Sequence, residues 1–471
     1  IPTIRELNTL LDEETYKMYE LGLTATLNQA DSDFATGLVK RYKPKSVGEM
    51  SAFVASIRPG FASLLENFVR REPYTTNVPK LDELLKDSYH YLMYQESIMK
   101  YLVWLGMPES QTYDIIKKIS KKKFDPQELI ELKEGLKNKW IEIVGSEEHF
   151  DETWQVIEDA AHYSFNASHS LSYAYDSLYC AYLKSHYPIE YYTVILNAYS
   201  GDIEKTGRIM NELKHFGIKL ENITFGKSKG EYFYDKESKT IYKGVGSVKY
   251  LNNEIGEKLY NLSKEKKYDT FFDLLVDFKG IGMNSRQREI LIKLGYFREF
   301  GKSKTLMEYI DIFDTYSSRK TFSKDKYMEH TLLRKYCGVE TAKMFKDLDV
   351  LPFCKELSKR VPDEELNLEE RIRCSIEYCG DMDIIDTNAG KHVWVVMDLN
   401  TRYTPVVQLY RLRDGRRSTV KIDRKIFIQK EVKQYELIEV CKATSKYKNK
   451  LVNGKWTKSD EKDIYIDYEI V

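Results

Sequence analysis

No two cysteines in this sequence have CxxC spacing, and no apolar run approaches the roughly 20 residues that span a bilayer. The six cysteines are Cys180, Cys337, Cys354, Cys374, Cys379 and Cys441. Only Cys374 and Cys379 lie close together, and no His or Cys pair follows them, so a four-ligand zinc site is not expected. Reduced thiols in a cytoplasmic protein are the simpler expectation. No signal peptide is legible and no membrane partner is implied. Net charge is also missing, with 73 Lys and Arg against 73 Asp and Glu. Any nucleic-acid binding must therefore come from local basic patches and not from a global field. No fixed-period repeat or low-complexity tract occurs.

What is present is enough for several cores. The chain has 471 residues, 42% of them apolar, which suits two to four domains. Its 36 tyrosines are expected mainly in cores and interfaces, with satisfied hydroxyls. The first residue is Ile1, which suggests a processed chain or a fragment.

Three textures follow one another. The first 200 residues read as helical. Leu81, Leu84, Leu85, Tyr89, Leu92, Ile98 and Leu102 recur at three- and four-residue steps, the signature of one face of a long helix. Asp151 suits an N-cap for a helix through Trp154, Ile157 and Ala161. A third helix carries Tyr175, Leu178, Tyr179, Tyr182 and Leu183 and stops before Pro188. Two short strands, Glu231–Tyr234 and Thr240–Tyr242, are bracketed by Gly226, Gly230, Gly244 and Gly246, and helices resume from Asn253 to Phe297. Residues 301–370 are polar, lysine-rich and weakly helical. Beyond Arg371 five β-branched or aromatic runs appear: His392–Leu399, Pro405–Tyr410, Ser418–Ile422, Tyr435–Val440 and Ile464–Val471. Five strands in about a hundred residues suit a small Greek-key barrel of the OB type.

The segment His162–Pro188 is the most informative. A Phe-Asn-x-Ser-His-Ser turn runs straight into an aromatic amphipathic helix. Asn166 and Ser168 can cap that helix and leave His169 at its N-terminus, where a phosphate could also sit. A plain capped core helix accounts for the same letters. The stretch resembles the Phe-Asn-Lys-Ser-His-Ser-x-x-Tyr-Ala motif in the fingers of bacterial DNA polymerase III alpha subunits. Three other segments resemble that family in the same order: Ser56-Ile-Arg-Pro-Gly60, Leu92-Met-Tyr-Gln-Glu96 followed by Met99, and the basic Asp114–Lys123. The resemblance covers roughly residues 8–300 well and the rest loosely.

The resemblance implies fingers that hold a triphosphate of about four negative charges, work suited to Arg and Lys. Arg58, Lys117 and Lys118, with Asn166, Ser168 and His169, are then the nucleotide-binding candidates. Lys121, Lys122 and Lys123 are candidates for the DNA backbone, and a solvated lysine face is the alternative. The family's Lys within the Asn-Lys-Ser-His motif is Ala167 here, so one positive charge is absent. Tyr242–Lys249 resembles the segment that precedes the family's helix-hairpin-helix. The expected glycine hairpin is replaced by Tyr250-Leu-Asn-Asn-Glu254, whose bulk closes an amide nest and whose acid repels phosphate. Lys279, Gly280 and Gly282 offer a second glycine hairpin as the better duplex contact, or else a plain helix connector.

Two things are missing against the family pattern. Nucleotidyl transfer there needs palm carboxylates holding two magnesium ions. The pairs Asp31/Asp33, Asp347/Asp349 and Asp381/Asp383 follow no Gly-Arg-Gly-Ser-Gly segment, so no catalytic residue and no metal ligand is assigned. The chain is expected to begin where the family's palm ends. A clamp-binding peptide is also not evident: Ser318–Phe322 lacks Gln and the aliphatic residue, and Gln29–Phe34 matches only by letters. In the barrel, Tyr410 and Arg411, with Tyr403, Arg413, Arg416, Arg417 and Lys421, could meet single-stranded template, although small barrels also bind proteins.

The expected architecture is thus multidomain and mainly α with a C-terminal all-β OB-like barrel. Residues 1–200 would be fingers, 201–300 a helix-hairpin-helix region for duplex and clamp, 301–370 linker helices, and 371–471 the OB-like domain. The resemblance implies part of a replicative DNA-directed DNA polymerase that, at full length, uses Mg2+. Its partners would be deoxynucleoside triphosphates (dNTPs), primer–template DNA and possible clamp or replisome proteins. The alternatives are a non-enzymatic DNA- or partner-binding scaffold and one chain of a split polymerase.

Overall fold

The structure is a computed structural model that describes all residues except 1, 59–60, 122, 164–165, 381, 383 and 453–454. The side chains at 120, 159–163, 203–204, 279, 449–452, 455–457 and 459–461 are also outside the description. Two compact units emerge: Ile1–Ile195 with Arg208–Gly217, and Leu196–Gly207 with Ile218–Val471. No described helix is long and apolar enough to cross a membrane.

The first unit is helical. Thr3, Asp12, Ser32 and Ser46 each cap a helix by accepting an N–H from the first turn, which settles orphan amides. Its central element is the helix Ala167–His186, which buries Ala174, Leu178 and Ala181 in one core with Tyr19, Phe53 and Phe68. Tyr19 donates to Ser177 at 2.9 Å, and Ser51 donates to Ser170 at 3.1 Å, so this core is pinned by hydroxyls as well as by packing. A second core gathers Leu81, Leu92, Ile98, Leu102, Trp140 and Trp154.

The expected long helix through Leu81 and Leu102 is in fact two, Pro79–Leu84 and Gln95–Trp104. Between them Tyr89 and His90 take positive φ values of 54° and 67°, which no α-helix tolerates. The apolar period continued across the break because Leu92, Ile98 and Leu102 still face the same core. Asp151 is not a cap either. Its helix starts at Phe150, and Asp151 instead pairs with Lys133 at 2.7 Å. The helix ending before Pro188 is present as expected.

In the second unit, strands β1 (Lys219–Glu221), β2 (Phe233–Asp235) and β3 (Thr240–Tyr242) form a sheet in the order β1-β3-β2. Helices Asn253–Glu265, Phe271–Ile281, Ser285–Lys293 and Ser303–Ser317 follow. Gly256 lies against Gly230, and a Cβ on Gly256 would come within 2.7 Å of the Gly230 Cα, so glycine serves close backbone approach here.

The 301–370 segment is more than linker helices. It contributes β4 (Thr321–Ser323), β5 (Cys337–Glu340) and β6 (Met344–Leu348), in the order β4-β6-β5. Phe313, Phe322, Leu333, Phe345 and Phe353 share one core with Phe272 and Phe297. Few apolar residues are needed because each is large and fully used. The C-terminal barrel is closed and five-stranded, in the order β10-β11-β9-β8-β7. Its strands are β7 (Val393–Asn400), β8 (Val406–Arg411), β9 (Arg417–Ile422), β10 (Leu437–Val452) and β11 (Lys455–Ile470). A helix, Arg424–Gln429, lies between β9 and β10. The last two strands are far longer than expected, 16 residues each, because backbone pairing carries them past the end of the apolar alternation.

Candidate nucleotide and nucleic-acid interface

Two motifs legible in the sequence meet at the start of the central helix. Asn166 is its N-cap and accepts the His169 N–H at 3.1 Å, while the Ser168 hydroxyl donates to the same oxygen. Glu96, from the Tyr-Gln-Glu segment, accepts the Ala167 N–H at 2.8 Å. The first-turn amides expected to hold phosphate are thus partly occupied by a carboxylate, which fills the positive end of the helix. Asn166, Ser168 and His169 are all exposed, and the His169 ring stands edge-on to Tyr173, 4.4 Å between centroids.

Arg58 follows the helix Val47–Ser56, which packs on the central helix, and its guanidinium donates to Gln29 Oε1 at 2.9 Å. Pro59 and Gly60 of that turn, and Phe165 of the Asn166 motif, lie outside the described residues. Lys117 and Lys118 close the helix Glu109–Ser120, which belongs to the second core. Their ammonium groups sit over the rings of Tyr113 and Phe124, at 5.6 and 5.2 Å. Lys121 and Lys123 are exposed beyond that helix, and Lys122 lies outside the described residues. Among the described residues no carboxylate pairs with Lys117, Lys118, Lys121 or Lys123. The nucleotide candidates thus fall on two cores, one bearing Arg58 and the Asn166 turn, the other Lys117 and Lys118. The Glu96–Ala167 hydrogen bond ties them together.

The two hairpins of the second unit differ, but not as glycine content suggests. Gly280 is inside the last turn of Phe271–Ile281, so it is helical and not a hairpin residue. Gly282 alone takes a left-handed conformation, φ 77°, and Asn284 then caps the next helix. The Lys279 side chain lies outside the description. In the first hairpin Tyr250 adopts φ 71°, where glycine would be at ease. Its ring is held by Arg286, whose guanidinium lies 3.6 Å from the centroid, and by Lys249 at 5.1 Å. These two cations hold the Tyr250 hydroxyl below its ordinary pKa. Gln287 donates to the Tyr250 carbonyl at 2.9 Å, which joins the hairpins. The Glu254 acid that was expected to repel phosphate is paired with Lys258 at 2.7 Å. Sequence reasoning missed Lys249 and Arg286, because residues 37 apart share a ring only after folding.

In the barrel, Tyr410 is buried at 3% exposure, beneath Arg417, so it leaves the set of rings that can stack on a base. Burial on both sides of the β8 chain, with Leu409 also inside, overrides the simple alternation. Arg411 is bound to Asp414 at 2.5 Å and lies over Trp394. Tyr403 remains 73% exposed. Phe322 of the clamp-like segment is fully buried, so that segment is not an extended docking peptide. Among the described residues no three His, Cys, Asp or Glu side chains gather to hold a metal ion, and Asp381 and Asp383 lie outside them. Magnesium therefore has no fitted site in what is described.

Residues 3–142 match the bacterial DNA polymerase III alpha subunit finger domain, and residues 217–307 match a helix-hairpin-helix motif. DNA polymerase III subunit alpha of Aquifex aeolicus is 30% identical over 301 residues, covering 62% of this chain and 26% of the relative. The subunit of Campylobacter jejuni is 28% identical, covering 62% and 25%. That of Buchnera aphidicola is 26% identical over 500 residues, covering 94% and 42%. The chain therefore spans well under half the length of these relatives. With the four motifs in order, a matched finger domain and a matched helix-hairpin-helix, the chain is similar to part of the alpha subunits of bacterial DNA polymerase III.

Proposed function

We propose that this chain is the nucleotide- and DNA-gripping part of a replicative DNA-directed DNA polymerase, acting in the bacterial cytoplasm. The observation that carries the reading is the meeting of the Tyr-Gln-Glu and Asn-x-Ser-His segments at the Ala167 amide, the first of them within the matched finger domain. In this reading Arg58, Lys117, Lys118 and His169 face the triphosphate, with Asn166 and Ser168 shaping the turn. Charge-assisted contacts from Arg and Lys suit that load. Lys121, Lys122 and Lys123 meet the duplex backbone, joined by Lys279, Gly282, Lys249 and Arg286 from the hairpin region. The barrel offers Tyr403 and Arg411 to single-stranded template. Magnesium would supply charge neutralisation and metal-activated attack in the whole enzyme, from ligands not among the described residues. A sliding clamp and other replisome proteins are the further partners.

One observation favours a second reading, a DNA-binding scaffold without chemistry. Glu96 occupies the helix N-terminus, and the site has Ala167 in place of a lysine, so the local potential is less positive. The deciding experiment titrates the chain with a fluorescent dNTP in the presence of primer–template DNA. Saturable binding weakened in Arg58→Ala supports the polymerase reading. Duplex binding without any triphosphate binding favours the scaffold.

A further inference from the structure

The loop 23–31 carries no charge that touches DNA or nucleotide in the reading above, yet side chains of three helices anchor it. Lys184 is completely buried in the central helix and donates to the carbonyls of Leu23 and Ala25, at 2.9 and 2.6 Å. Its third contact is Glu212, at 2.7 Å. Glu212 also accepts from the Tyr192 hydroxyl at 2.7 Å and from the Ala25 N–H at 2.9 Å. One turn earlier on the Glu212 helix, Arg208 donates to the Asp31 carbonyl. Thr26, held to the Tyr191 hydroxyl at 2.7 Å, and Gln29 both have positive φ, 69° and 64°. Two non-glycine residues in that region are strained, and such strain persists where surroundings over-determine it. At the far end of the loop, Gln29 receives the Arg58 guanidinium.

A buried ion pair is weak as a source of stability, because desolvation offsets much of the attraction. Hydrophobic residues would fill the Lys184 site more cheaply. What the pair does supply is direction, since three donors and two acceptors fix the path of a loop that has no secondary structure. We propose that Lys184, Glu212 and Arg208 are positioning residues that clamp the 23–31 loop so that Gln29 holds the Arg58 guanidinium in place for a triphosphate. This rests on the assignment of Arg58 as a nucleotide contact. Gln29 and the residues behind it touch no nucleotide themselves.

The experiment is a double-mutant cycle on the full chain, with mant-dATP and primer–template DNA as probe. Gln29→Ala and Lys184→Met are each measured with Arg58 present and in the Arg58→Ala background, with circular dichroism recorded throughout. Gln29→Ala is expected to weaken mant-dATP binding about tenfold when Arg58 is present and to change nothing when it is absent, the mark of coupled residues. Lys184→Met follows the same pattern if it folds. Gln29→Ala, at a half-buried loop position, keeps the test decisive if it does not. An equal loss in both backgrounds means general loosening and overturns the proposal, as does no loss in either. If Arg58→Ala itself leaves binding unchanged, the assignment of Arg58 fails first and the clamp loses its purpose with it.

Discussion

Glu96 accepts the backbone N–H of Ala167 at 2.8 Å, across 71 residues of sequence. The contact places a carboxylate at the N-terminus of the helix that carries His169. A charge-assisted bond to a helix-start amide stabilises by about 1 kcal/mol, with up to about 2 in favourable settings. Glu96→Ala should therefore lower stability by that order in urea unfolding. It should also tighten mant-dATP binding if the triphosphate approaches this helix end, because a competing anion has left. Weaker nucleotide binding in a folded Glu96→Ala would mean that Glu96 orients the site and does not compete for it.

Restoring the missing cation tests the same place from the other side. Ala167→Lys adds a positive charge beside exposed Ser168 and His169. Nucleotide affinity should rise at low salt, and the gain should shrink at physiological salt, where the Debye length is about 8 Å. A gain independent of salt would point to a change of fold and not of charge.

The lysine cluster makes a prediction about slope. Lys117, Lys118, Lys121 and Lys123 have no carboxylate partner among the described residues, so they are free to neutralise phosphates. Duplex affinity should fall steeply with salt, and each lost phosphate contact should flatten the log–log slope by about 0.9. Replacing Lys121 and Lys123 with Ala should flatten it by about 1 to 2. An unchanged slope would leave these residues as a solvated face.

Much of this architecture was legible, and the failures share one cause. All five barrel strands were marked by β-branched and aromatic runs, and the Asn166 cap by its position before an apolar period. Local patterning reports which residues prefer the interior, and it reports it well. It cannot report where the chain turns when the apolar period survives the turn, as at Tyr89 and His90. Nor can it see pairs made by folding, such as Lys184 with Glu212 or Tyr250 with Arg286. The sheet of β4, β5 and β6 was hidden because its strands are three to five residues long and sit in a polar, lysine-rich segment.

Alkali should expose the tyrosines. Burial pushes the Tyr16, Tyr91, Tyr94, Tyr316 and Tyr468 hydroxyls up to about 12, and the Cys354 thiol likewise to about 12. Each pKa is raised in the folded state, so each contribution to stability is complete below the unfolded value. It is lost as pH rises from about 9–10 toward 12. Tyrosinate absorbance at alkaline pH should show an early phase from exposed rings and a late phase that coincides with loss of the helical signal. A single early phase with the fold intact would contradict this burial.

The hairpin glycines can be separated by single substitutions, because their backbones differ. Gly280 is helical, and a Cβ there meets nothing within 4 Å. Gly280→Ala should therefore stabilise by about 0.5–1 kcal/mol, through reduced freedom of the unfolded chain and better helix propensity. Gly282 has equal space but φ 77°, so Gly282→Ala should cost about 1–2 kcal/mol of backbone strain. Duplex affinity should follow a different order. Gly280→Ala should leave it unchanged, whereas Arg286→Ala should weaken it by removing a cation that Tyr250 holds in place. Tyr250→Ala should weaken it less, since the charge remains but loses its platform. Urea unfolding and duplex titration at fixed salt, run on the same four proteins, read the two orders independently. If Gly280→Ala weakens duplex binding while Arg286→Ala does not, the DNA contact is the helical glycine turn and not the cations around Tyr250.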